Sequence, residues 1–166
     1  PARPGPGRSP ALRHDHPVAA MILFEDNHLL VAVKPQNMPT QADASGDEDF
    51  LSFLKKYIKE KYNKPGNVYL GLVHRLDRPA GGVMVFARTS KAAARLTLQI
   101  KEYKKQKKYA AVVSAPLPSS ADLEDSLLKD RASNISRVVP KGTPGAKPAF
   151  LHYEVVCSAD GCSLLD

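Results

Sequence analysis

The chain has 166 residues and carries 24 Lys and Arg against 17 Asp and Glu, a formal net charge of +7. That length supports one domain with a real core, and the basic balance suits a polyanionic partner. No apolar run reaches the length of a membrane span, nothing resembles a secretory h-region, and Cys157 and Cys162 lack the second pair that a zinc pattern needs.

Pro1 to Ala20 holds four prolines before His14, three arginines and no hydrophobic period. It is expected to be a disordered or appended leader. His14 and His16 lie close enough to share a metal ion, but in such a segment they read as a solvated tail. Met21 is then the start of the folded part, and residues 21–166 form the domain. The two cysteines are expected to be free thiols in a reducing, cytoplasmic setting.

Ile22 to Asp26 and His28 to Lys34 read as two strands joined at Asp26-Asn27, residues that tolerate the left-handed conformation of a tight connection. Lys34-Pro35-Gln36-Asn37-Met38-Pro39-Thr40-Gln41 ends the second strand with two prolines. Asp47 to Asn63 is predicted to be an amphipathic helix, because Phe50, Leu54, Tyr57 and Ile58 fall on one face. Asp47 or Asp49 can cap it, and Pro65-Gly66 terminates it. Lys55, Lys56, Lys59, Lys61 and Lys64 fill the remainder as a solvated face.

Val68 to Val73 reads as a strand. It breaks into a loop dense with charge, His74-Arg75-Leu76-Asp77-Arg78, followed by Pro79-Ala80-Gly81-Gly82 and a second apolar strand, Val83 to Ala87. Turn residues between two β-branched runs make a strand–loop–strand unit. Asp77 stands between Arg75 and Arg78, and nearby positive charge favours the ionised form of a carboxylate. Spacing alone is also satisfied by a structural ion pair inside a turn.

Thr89 or Ser90 caps a second helix, Lys91 to about Lys101, with Ala93, Leu96 and Ile100 as its core stripe. The run from Lys101 to Lys108 carries five lysines against one glutamate, and part of it suits a helix C-terminus. Lys108 to Ser114 reads as the next strand, entered by Tyr109. Leu123 to Lys129 and Ser133 to Val139 are read as the arms of a hairpin. Ala149 to Cys157 alternates as a strand, and Ser163-Leu164-Leu165 opens another. Two principal helices among many strands, without regular βαβ alternation, predict an α+β fold on a mixed, mostly antiparallel sheet.

His74-Arg75-Leu76-Asp77-Arg78, the glycine Gly82 and the apolar strand after it resemble the signature of RNA pseudouridine synthases. The family in question modifies uridines in large-subunit ribosomal RNA and in tRNA. The resemblance departs at Gly81, where the family usually carries Ser. Lys34-Pro35 and Pro39-Thr40 resemble the family's first motif. The family's later Thr-Gly-Arg and His-Gln-Ile-Arg motif has no counterpart here, so the resemblance covers about the first two-thirds of a family catalytic domain, and the domain is expected to be incomplete at its C-terminus.

The resemblance implies the pseudouridine synthase fold and isomerisation of uridine to pseudouridine in rRNA or tRNA, with no cofactor and no metal. It implies that Asp77 is the catalytic carboxylate, buried in its cleft, and that Arg75 fills the space vacated by a flipped base. Tyr109 would stack on the extruded uracil. His74, Leu76, Arg78 and Gly82 would support the motif, and Lys104, Lys105, Lys107 and Lys108 would attract phosphates without regard to sequence. A monomer acting on RNA is expected. The alternative is a catalytically silent RNA-binding fragment of such an enzyme. A glycoside hydrolase is disfavoured, since no second positioned carboxylate accompanies Asp77.

Overall fold

The structure, a computed structural model, describes residues 21–102, 107–114, 117–130, 132–133 and 135–166. Residues 1–20, with His14 and His16, and the basic Lys104 and Lys105 lie outside the described residues. The chain divides into two compact units between Lys105 and Gln106. The α+β expectation holds, but the strands form two sheets rather than one, and every pairing among the described residues is antiparallel.

In the first unit, β1 (Ile22–Glu25), β2 (Leu29–Lys34), β3 (Gly71–Leu72) and β4 (Gly82–Ala87) form a sheet in the order β1-β2-β4-β3. The β1–β2 turn differs from expectation. Neither Asp26 nor Asn27 takes a positive φ. Instead the Asp26 carboxylate accepts from the backbone N–H groups of His28 (2.7 Å) and Leu29 (2.6 Å), a side-chain substitute for a tight turn. The strand expected over Val68 to Val73 shrinks to Gly71–Leu72. Leu70 is still buried, so the apolar run serves the core without joining the ladder.

Helix α1 (Phe50–Lys61) buries Phe50, Leu54 and Ile58. Asp49 is its cap, accepting from Ser52 N at 2.9 Å, while Asp47 is drawn elsewhere. These three side chains pack with Leu30, Ala32, Met38, Leu70, Met84 and Phe86 into the core. Each large apolar side chain so buried contributes about 1.5–3 kcal/mol. Helix α2 (Ser90–Lys101) is capped by Thr89 and buries Leu96.

Glu25 ties β1 to α1 and to the end of β4. Its nearly buried carboxylate accepts from Lys61 Nζ (2.8 Å), Tyr57 OH (2.9 Å), Tyr62 OH (2.8 Å) and Arg88 Nη1 (2.9 Å). Burial alone would raise this carboxyl, but the hydrogen bonds from Lys61, Tyr62 and Tyr57 and the Lys61 charge hold it below its usual value. Lys61 is therefore a structural partner, and Lys56 likewise pairs with Glu48. The α1 lysines are thus in part explained without any external ligand.

The second unit is a sheet of order β5-β9-β8-β6-β7, from β5 (Ala111–Val113), β6 (Ser120–Asp130), β7 (Ile135–Val139), β8 (Lys147–Ala159) and β9 (Cys162–Leu165). The β8–β9 hairpin turns on Asp160 (φ 51°) and Gly161 (φ 75°), the pair of positive φ angles that suits strand twist. Tyr109 lies in coil two residues before β5, not within the strand, because the ladder begins at Ala111 opposite Leu165.

Candidate active site

Asp77 lies in the loop by which the chain leaves β3 and re-enters the sheet as β4. The loop backbone is held on both sides of Asp77 by side chains from the end of β2 and from the segment that follows it. Thr40 Oγ1 donates to the Leu76 carbonyl at 2.6 Å, and Lys34 Nζ donates to the Arg78 carbonyl at 3.4 Å. Inside the loop, Ala80 N–H donates to the Asp77 carbonyl at 3.1 Å. Leu76 packs against the core, and the adjacent Asp77 is exposed. The expectation of a buried carboxylate is thus corrected: Leu76 fills the inward position, so Asp77 is turned to the surface.

Lys34 was legible as part of a short motif but not as an electrostatic element. It continues the inward face of β2 after Leu30 and Ala32, and all three are fully buried. A buried ammonium needs acceptors. Lys34 Nζ has the carbonyls of Met38 (2.7 Å) and Pro35 (3.0 Å) besides that of Arg78. Burial pushes this ammonium below its usual value, and the negative charge of Asp77 pulls it back up. A lysine at the i+4 position of an alternating apolar strand was the available signal.

Arg78 takes another partner than expected. It does not flank the Asp77 carboxylate but reaches the acidic stretch before α1. Its guanidinium pairs with Asp47, donates to Ser45 Oγ at 2.9 Å and lies 3.6 Å from Asp43. Arg78 hydrogen bonding lowers the Asp47 carboxyl. Hydrogen bonds from Ser45, followed by the Arg78 charge, lower that of Asp43. These partners lie more than thirty residues away in sequence, with no local signal. Arg75 is exposed at the loop surface.

The loop is closed by two glycines. Gly82 has φ +146°, a conformation side chains rarely adopt, and a Cβ there would meet Leu76 Cδ1 at 3.4 Å. A Cβ at Gly81 would stand 3.0 Å from Gln36 Cγ and 3.3 Å from the Lys34 carbonyl oxygen. The Ser of the resembling family would therefore crowd the segment after β2. At the other end of the loop, His74 Nε2 accepts from Val85 N–H at 3.0 Å.

Tyr109, Lys107 and Lys108 belong to the second unit and are exposed. Lys108 Nζ lies 3.3 Å from Asp166 Oδ2. Among the described residues no cluster of His, Cys, Asp and Glu is set to hold a metal ion, and no helix is long and apolar enough to cross a membrane.

A family model described as RNA pseudouridylate synthase matches residues 28–166. The chain is 33% identical over 139 residues to a ribosomal large subunit pseudouridine synthase C of Buchnera aphidicola, covering 81% of this chain and 41% of that protein. It is 29% identical over 159 residues to a ribosomal large subunit pseudouridine synthase D of Zymomonas mobilis, covering 95% of this chain and 50% of the relative. The chain thus spans half or less of the length of these two relatives. Among solved structures, human RNA pseudouridylate synthase domain containing 4 superposes with a TM-score of 0.72 at 24% identity, over 89% of this chain and 58% of that one. That likeness concerns the fold.

Proposed function

The chain belongs to the RNA pseudouridylate synthase family, and on that premise we propose that the protein isomerises uridine to pseudouridine within RNA, with Asp77 as its catalytic carboxylate. The names of the relatives favour large-subunit ribosomal RNA as the substrate class. The observation that carries the reading is the clamp on the loop. An exposed carboxylate stands between two backbone carbonyls that Thr40 and Lys34 hold in place. Preorganised charge is what a site needs where charge develops in a transition state.

The reaction breaks the N1–C1′ bond, turns the uracil and joins C5 to C1′. The C5 hydrogen leaves as a proton, and N1 ends protonated. A carboxylate near C1′ faces the positive charge that develops there as the bond breaks. The uridine must leave its stack, at a cost of a few kcal/mol. Arg75, exposed beside Asp77, is the residue to fill the vacated space with a planar guanidinium. Tyr109 would stack on the extruded base, and Lys104, Lys105, Lys107 and Lys108 would attract phosphates. His74, Leu76 and Gly82 shape the loop. Arg78 takes a supporting part by holding the 43–47 segment rather than the carboxylate.

Tritium release from RNA carrying 5-tritiated uridine tests the reading, because the C5 hydrogen is lost only if C5 forms the new bond. Release with stoichiometric pseudouridine supports it. Salt-sensitive RNA binding without release would favour the second reading, a catalytically silent RNA-binding module.

A further inference from the structure

The sheet of the first unit has a gap beside Val85. β3 pairs with β4 only at Gly71↔Ala87 and Leu72↔Phe86, while β4 continues against β2 as far as Gly82. Extending the β3 register by one residue would set Val73 opposite Val85, but the ladder stops at Leu72. A backbone N–H on a half-buried strand needs an acceptor. The one it has is His74 Nε2, at 3.0 Å.

We propose that His74 is a positioning residue: its neutral ring takes the place of a strand carbonyl and pins the start of the Asp77 loop to β4. The chemistry constrains the ring. An imidazole nitrogen that accepts an N–H must keep its lone pair, so the proton resides on Nδ1 and Nε2 is bare. An imidazolium has no acceptor, so the contact exists only with the neutral ring. The pin acts at the opposite end of the loop from Gly82, with the Thr40 and Lys34 contacts between them. Asp77, three residues after His74, is thereby held by side chains from β2, from the segment following it, and from the loop itself. The consequence for catalysis rests on the reading of Asp77 given above, but the pin itself does not.

Two arms test this on the whole chain. Long-range proton–nitrogen NMR on the wild type is expected to show His74 protonated at Nδ1 and bare at Nε2. His74→Gln can place Oε1 near the position of Nε2, whereas His74→Asn falls one bond short. Amide exchange at Val85 is expected to stay within about threefold of wild type in the Gln variant and to accelerate about tenfold or more in the Asn variant, with the amides of 75–80 following it. A proton found on Nε2, or equal exchange in the two variants, would overturn the proposal. The wild-type tautomer decides even if a variant fails to fold. The activity arm is separate: tritium release is expected to fall further in the Asn than in the Gln variant. Absence of release from the wild type would count against Asp77 catalysis and leave the exchange result to judge His74.

Discussion

Thr40 Oγ1 donates to the carbonyl of Leu76 at 2.6 Å, across 36 residues of sequence. The bond joins the segment after β2 to the residue immediately before Asp77. Thr40 is itself buried, so water does not compete for this bond as it does on the surface. Thr40→Val keeps the shape and removes the donor. It is expected to cost about 1–3 kcal/mol in stability, because it leaves a carbonyl short of its partner. Urea unfolding measures this, and Thr40→Ser should recover most of the loss. Turnover should fall further than RNA affinity, since the loop loses its hold while the lysines proposed to meet phosphates are untouched.

Glu25 gives a pH-dependent prediction. Its carboxyl is held below the usual value of 4.5 in the folded state. The stabilisation is therefore fully present above pH 4.5 and is lost as pH falls through the lower folded value. Glu25→Gln keeps the volume but loses the charge that Lys61 and Arg88 face. It is expected to cost about 2 kcal/mol at neutral pH. Thermal unfolding at pH 7 and at pH 3 reads the difference: the gap between wild type and variant should narrow in acid. A gap unchanged by pH would show that the charge is not what Glu25 contributes.

Arg78→Gln separates the two readings of the charged motif. The Asp47 and Asp43 pairs are well exposed, and such pairs contribute about 0–1 kcal/mol. Global stability should therefore hardly change, while amide exchange in residues 43–47 rises. An unchanged 43–47 segment would return Arg78 to the role of partner for Asp77.

The helices were legible because side chains set them directly. The spacing of Phe50, Leu54 and Ile58 defines the buried face of α1, and the caps Asp49 and Thr89 were both among the expected residues. The extent of β3 was not legible because an apolar run reports burial, not ladder hydrogen bonding. Leu70 enters the core from outside the strand. Sheet partition depends on pairings distant in sequence, and no local pattern separates one sheet from two. At the site, the motif located the loop, whereas the partner of Arg78 and the charge facing Asp77 depend on tertiary contacts. For Lys34 the sequence holds a signal, since an inward lysine at the end of an alternating strand asks for buried acceptors, but the carbonyls that supply them come from the folded loops.

The central claim is that the Asp77 carboxylate carries the chemistry. Asp77→Asn preserves size and removes the charge, and the exposed position of the side chain makes a folding defect easy to exclude by thermal unfolding. Tritium release from 5-tritiated uridine RNA should fall by about a thousandfold or more, the scale on which loss of electrostatic stabilisation at a reacting centre is felt, with RNA affinity within about threefold of wild type. Turnover by Asp77→Asn near that of the active wild-type protein would contradict the assignment.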